Sequence, residues 1–140
     1  MTFAAVRAVV ESKINSAYQA LTPAVPVMFD NVQETPPDLP YVVCVMSYVS
    51  ASEPVICPGG GSLERLVGNL QLSCYVKRGQ GMKQVEELVT TGWKAMDTMW
   101  DANASTRVKC GQVNGPTPLL DGPEPYALCT FSCQFQALVD

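Results

Sequence analysis

Residues 127–139, Ala-Leu-Cys-Thr-Phe-Ser-Cys-Gln-Phe-Gln-Ala-Leu-Val, decide the fold class. Ala127, Cys129, Phe131, Cys133, Phe135, Ala137 and Val139 recur at every second position, and Thr130, Ser132, Gln134 and Gln136 fall between them. That period puts the apolar set on one face of a strand and the polar set on the other. The same pattern runs through 65–76, where Leu66, Gly68, Leu70, Leu72, Cys74 and Val76 alternate with Val67, Asn69, Gln71, Ser73 and Tyr75. Two one-sided strands call for a sheet with one face covered.

The cover is legible as helices. Phe3, Val6, Val10, Ile14, Ala17 and Leu21 step by three and four along 3–21, with Thr2 as a cap and Pro23 and Pro26 as the stop. Met82, Val85, Val89, Trp93, Met96 and Trp100 do the same along 82–100, widened by Leu88, Gly92 and Met99; this stripe places both tryptophans in the core. Three further strands are expected at Val27–Phe29, 41–49 and 106–113. The run Tyr41–Val49 is apolar on both alternations, which predicts cover on both faces: helices on one, a neighbouring subunit on the other. The expectation is a single α+β domain, 1–140. It has a mostly antiparallel sheet with two helices packed on one face, in the order α-β-β-β-α-β-β.

Proline and glycine mark the links. Asp30–Pro40 is a turn-rich connection, and Ser50–Ser62, with two prolines and Gly59-Gly60-Gly61, reads as a long exposed loop rather than continuous strand. Asn114–Pro125 reads as a second such loop.

The charge balance, 9 Lys+Arg against 13 Asp+Glu in 140 residues, shows no basic run of the kind that holds nucleic acid by counterion release. Charged residues make up 16%, below the usual quarter, so much of the surface is neutral or apolar and suited to partners. No apolar run reaches membrane-spanning length, and Arg7, Glu11 and Lys13 break the only N-terminal stretch resembling a signal peptide, so neither is expected. The chain has no histidine, which removes Ser-His and Cys-His nucleophiles and the usual imidazole base.

The remaining chemical candidates have ordinary readings. Gly79-Gln80-Gly81 lacks the third glycine of a dinucleotide fingerprint and reads as a turn before a helix; the triple glycine lacks the Gly-Lys-Ser/Thr ending of a phosphate loop. Cys44, Cys74, Cys110, Cys129 and Cys133 lie in apolar or alternating runs as buried thiols, and Cys129 and Cys133 stand about 13 Å apart along a strand, too far to share a metal. Cys57 reads as an inert surface thiol without cationic neighbours. Glu86/Glu87 and Asp97/Asp101 read as solvated carboxylates, and Asn103-Ala104-Ser105 as a chance glycosylation pattern. No catalytic, metal or cofactor-binding residue is expected.

The chain resembles the tail terminator (tail completion) proteins of long-tailed bacteriophages over nearly its whole length. The carriers are the helix at 3–21 followed by Val27-Met28-Phe29-Asp30-Asn31-Val32, the segment Pro36-Pro37-x-x-Pro40-Tyr41-Val42, Arg65-x-x-Gly68, the Gly79-x-Gly81 helix start and the aromatic alternating final strand. The resemblance implies a hexameric ring, assembled in the host cytoplasm and retained in the virion. It would bind the last tail-tube ring on one side and a neck or connector protein on the other. It also implies no enzyme activity, no cofactor and no specific nucleic-acid binding, although DNA would pass through the ring and acidic lumen residues would repel it. Loops on a rigid sheet are where recognition concentrates. The expected contacts are therefore Asp30, Gln33 and Glu34 in the first link, Glu53, Pro54, Val55, Ile56, Cys57 and Pro58 in the second, and Pro116, Leu119, Leu120, Asp121 and Pro123 in the third. The rival expectations are a head-completion or neck adaptor that binds the portal, a small cytosolic enzyme using Cys57 or a carboxylate pair, and a ligand-binding module with a deep apolar pocket.

Overall fold

The computed structural model describes residues 3–29, 38, 40–56, 62–79, 81–100, 106–121 and 126–139, with the backbone alone for 51–56, 62–64, 121 and 139. Helix α1 spans Phe3–Gln19 and α2 spans Lys83–Asp97; the strands are β1 Val27–Met28, β2 Tyr41–Ile56, β3 Ser62–Lys77, β4 Thr106–Asn114, β5 Leu120–Asp121 and β6 Tyr126–Val139. The fold class and order are as the sequence implies, with β5 as an additional two-residue strand. The sheet runs β1-β2-β3-β6-β4, with β5 paired to β6 off that path. Only β1–β2 is parallel, through Val27↔Val42 and Met28↔Val43; the other pairings are antiparallel.

Both helices lie on one face. Leu66, Leu70, Leu72, Cys74 and Val76 of β3 and Ala127, Cys129, Phe131, Cys133, Phe135 and Ala137 of β6 are all buried there, as their alternation predicts. Against them α1 sets Val6, Val10, Ile14 and Tyr18. Tyr18, absent from the predicted stripe, is fully buried and donates its hydroxyl to the Leu88 carbonyl at 2.8 Å, so the phenol joins the two helices without leaving a polar group unpaired. Thr2, the expected cap, lies outside the described residues.

Helix α2 meets the sheet at Gly92. A Cβ there would stand 2.4 Å from Phe131 Cζ and 2.6 Å from the Tyr18 hydroxyl, so only glycine lets the helix approach this closely. This contact corrects the predicted stripe. The buried line is Val85, Leu88, Gly92, Ala95, Met96 and Met99. Met82, Val89 and Trp93 fall about 90° round the helix from it, given 3.6 residues per turn, and Trp100 lies past the end of α2 at Asp97. Trp93 and Trp100 are therefore not core residues: they are 47% and 46% exposed.

The expected loop at 50–62 is also corrected. Strand β2 continues through residues 50–56 and β3 begins at Ser62, with Ser50↔Val67, Ala51↔Leu66, Ser52↔Arg65, Val55↔Leu63 and Ile56↔Ser62 paired. Register shifts at Tyr48/Ser50 and Ser52/Val55 explain how. A bulge takes up an extra residue and bends the strand, and the second shift falls where Pro54, lacking an amide donor, would otherwise interrupt the ladder. Within the expected loop 114–125, Leu120 and Asp121 pair with Leu128 and Ala127 as β5, too short to show a period. The turn before α2 is as expected, with Gly79 and Gly81 at φ 82° and 80°.

Cys44, Cys74, Cys129 and Cys133 are buried thiols, while Cys110 is half-buried at the sheet edge. Cys74 faces Cys129 across the β3–β6 pair, and burial first, then that neighbour, pushes the Cys74 thiol up to about 12. Cys57 lies outside the described residues.

Candidate functional site

Among the described residues, no element covers the second face of the sheet. Val45 and Val49 are 40% and 60% exposed, so the second covering layer implied by the two-sided run at 41–49 does not come from the helices. Tyr41 is nonetheless buried on that face because it stacks on Tyr75 at 4.9 Å and meets the edge of Tyr126 at 6.5 Å. Ser73 and Thr130 share a hydroxyl hydrogen bond of 3.1 Å nearby. The register gathers scattered cations onto the same face: Arg65 and Arg107 flank Leu138, and Lys109 sits opposite Gln136.

Exposed apolar side chains form two groups at opposite ends of the strand order. One lies at β2, where Val45 is exposed on the bare face and Val49 at the bulge, and where Phe3, 52% exposed, sits on the helix side with its ring meeting Tyr48 edge-on at 4.9 Å. The Tyr48 hydroxyl donates to the Phe3 carbonyl at 3.2 Å, and the Arg7 guanidinium lies 5.8 Å over the Tyr48 ring, so the N-terminal end of α1 is held over the helix-side face of β2. Arg7 also pairs with Glu11 at 3.1 Å, a part-exposed contact contributing a few tenths of a kcal/mol.

The other group lies at the β4–β5 end. Met82, Trp93 and Trp100 lie at or just after α2 on the covered side, while Leu120, 54% exposed, pairs with Leu128 and so faces the other side of the sheet; a groove of about 340 Å³ runs between α2 and the 115–119 segment, lined by Met82, Val89, Pro116 and Thr117 among others. Thr117 anchors that segment on β6: its amide donates to the Thr130 carbonyl at 2.9 Å, and its hydroxyl accepts from the Thr130 amide at 3.0 Å. The Cys129 thiol donates to the Thr117 carbonyl at 3.1 Å. Pro116 is thus exposed on a fixed backbone.

Of the expected contact residues, Pro116 is exposed beside the groove, Leu119 is partly buried against the core, Leu120 is exposed on β5, and Asp121 ends β5. Glu53, Pro54, Val55 and Ile56 lie in the distal half of β2, at the opposite end of the sheet, so the structure does not bring the two sets together within one chain. Asp30, Gln33, Glu34, Cys57, Pro58 and Pro123 lie outside the described residues. The sequence reading missed Phe3, Met82, Trp93 and Trp100. The one available signal was Gly92, since a glycine within an apolar helical stripe marks close approach and recentres the buried face.

Two concavities have mainly polar linings. The one at the β4 bulge, about 390 Å³, is lined by Lys109, Gln112, Asn114, Gln134 and Gln136 with Cys110 and Gly111, an amide-rich wall with no carboxylate. Glu86, Glu87 and Asp97 are exposed on α2, and Asp101 lies outside the described residues. Among the described residues no three His, Cys, Asp or Glu side chains gather as a metal site would require.

No family model and no curated protein matches the chain. Among solved structures, one whose name states no function superposes with a TM-score of 0.60 at 20% identity, over 98% of this chain and 96% of that one. A likeness at that identity carries the fold alone, and it extends to the whole α-β-β-β-α-β-β arrangement rather than to a part of it.

Proposed function

We propose that this chain is a non-catalytic assembly protein that closes into a ring, and specifically a tail terminator that ends tail-tube growth in a long-tailed phage and joins the tube to the neck or connector. The observation that carries the ring is the placement of two unlike apolar groups at opposite ends of one sheet. A two-fold dimer uses one patch twice; two different patches on opposite sides suit a head-to-tail contact that repeats until rotation closes it. Exposed tryptophan, methionine and phenylalanine are also the residue types that anchor protein interfaces. The assignment to a tail rests on the resemblance in the order and spacing of Val27–Val32, Pro36–Val42 and Arg65-x-x-Gly68. On this reading the protein acts in the virion, at the tail–neck junction, after assembly in the host cytoplasm. It has the tube protein, the neck protein and further copies of itself as partners, and no cofactor.

The test is electron microscopy of the purified chain incubated with tail tubes of the same phage. A ring of this protein at one tube end, with tube length no longer growing, is expected. A chain that stays monomeric and never occupies a tube end would contradict the reading, and capture of the portal instead would make it a neck adaptor.

A further inference from the structure

We infer that the contact between protomers is a continued sheet, in which the outer edge of β2 over residues 47–52 of one copy pairs antiparallel with Thr106–Cys110 of β4 in the next. The inference rests on the ring reading and names the junction within it.

Strand direction permits the pairing. The path β2-β3-β6-β4 is antiparallel at each step, so β2 and β4 run in opposite directions at its two ends. A neighbour brought alongside by rotation about an axis near the strand direction therefore meets β2 with an antiparallel β4. Past Val43 no described strand flanks β2 on its outer side, and β4 is the last strand at the other end. Such edges are templates for pairing with another chain.

Height favours closure. Ser50 pairs with Val67, Val67 with Gln136 and Gln136 with Lys109, so Ser50 and Lys109 end one row across four strands. Ala51, Leu66, Ala137 and Val108 form the next row. The two edges stand level, and a level join advances by rotation without rise, which is what separates a ring from a filament.

Charge selects the unlike edges. Glu53 is the one charged residue of β2, while β4 carries Arg107 and Lys109. Pairing β4 with its own copy would set cations against cations, an unfavourable cross-strand arrangement, whereas in the level β2–β4 register Lys109 and Arg107 meet the uncharged Ser50 and Ser52. A standard interface removes about 800 Å² from each partner, more than a few strand residues supply. The helix layer adds to it, since Phe3 stands beside β2 and Trp100 shortly before β4.

Ser50 and Lys109 both point away from the helices, so a charge swap tests the join. Ser50→Lys sets ammonium against ammonium and should lower the association constant of each junction about fivefold; adding Lys109→Glu in the same chain should restore assembly. Native mass spectrometry reads the ring population, and circular dichroism checks the fold. Assembly unaffected by S50K, or no recovery in S50K/K109E, would overturn the inference. Hydrogen exchange on the wild-type protein gives an independent reading: amides of 47–52 and 106–110 should slow at least about tenfold on assembly. Rings whose exchange is unchanged there would discard this junction and keep the ring, whereas a wild-type chain that never assembles, with or without tubes, would discard both.

Discussion

The helix-covered face of the sheet and its bare face are built from alternate residues of the same strands, yet they tolerate change very differently. On the covered face Phe131, Phe135, Leu66, Leu70 and Leu72 are essentially inaccessible. On the bare face Asn69, Gln71, Gln134 and Gln136 stand in solvent, and order comes from the tyrosine cluster and the Ser73–Thr130 hydrogen bond. The contrast separates stability from assembly. One set of residues keeps the monomer folded, and a second set, at the margins of the bare face and on the flank of α2, is the one we propose for contacts.

The sharpest way to break the covered face is Phe131→Ala, which leaves a cavity beneath Gly92 and should cost about 3–5 kcal/mol in urea unfolding. Gly92→Ala comes next. Its methyl would meet Phe131 and Tyr18 well inside contact distance, so α2 must lift, at about 1–3 kcal/mol by the same measurement. Cys74 adds a pH signature. Its folded thiol titrates near 12 against 9.0 for an unburied thiol, so above pH 9 the unfolded chain ionises first. Stability should then fall by about 1.4 kcal/mol per pH unit for this group until the folded value is reached. A Cys74→Ala variant should show a shallower slope between pH 9 and 11 in the same titration. On the bare face, Gln134→Lys should move stability by no more than about 0.5 kcal/mol, and a larger loss would mean that this face carries structure in the monomer.

The covered face was legible from the sequence because period-two alternation in 65–76 and 127–139 needs no long-range information: the residue classes themselves state which side is inside. The proline-rich segments were not. Pro54 reads locally as a strand breaker, and only the pairing of β2 with Ser62–Lys77 shows that bulges carry the ladder past it. Trp93 and Trp100 were misplaced for a related reason. A helical stripe broader than one buried line has two solutions, and the packing of Gly92 on Phe131 selects the one that leaves the tryptophans outside. The contact surface was half legible. Pro116, Leu119 and Leu120 carry a loop signal, whereas Phe3, Val45 and Val49 become a surface only once β2 is known to stand at an edge of the described sheet.

A ring joined through two unlike patches makes a sharp prediction for a mixing experiment. Val49→Asp blocks the β2 patch and Trp93→Glu blocks the α2 patch, both at exposed positions that leave the core intact. Each variant alone should remain monomeric in native mass spectrometry while the wild type forms closed rings. An equimolar mixture should stop at heterodimers, because one good junction can form and no more. Symmetric dimers from either variant alone would show that a single patch pairs with itself, and the head-to-tail ring would have to be abandoned.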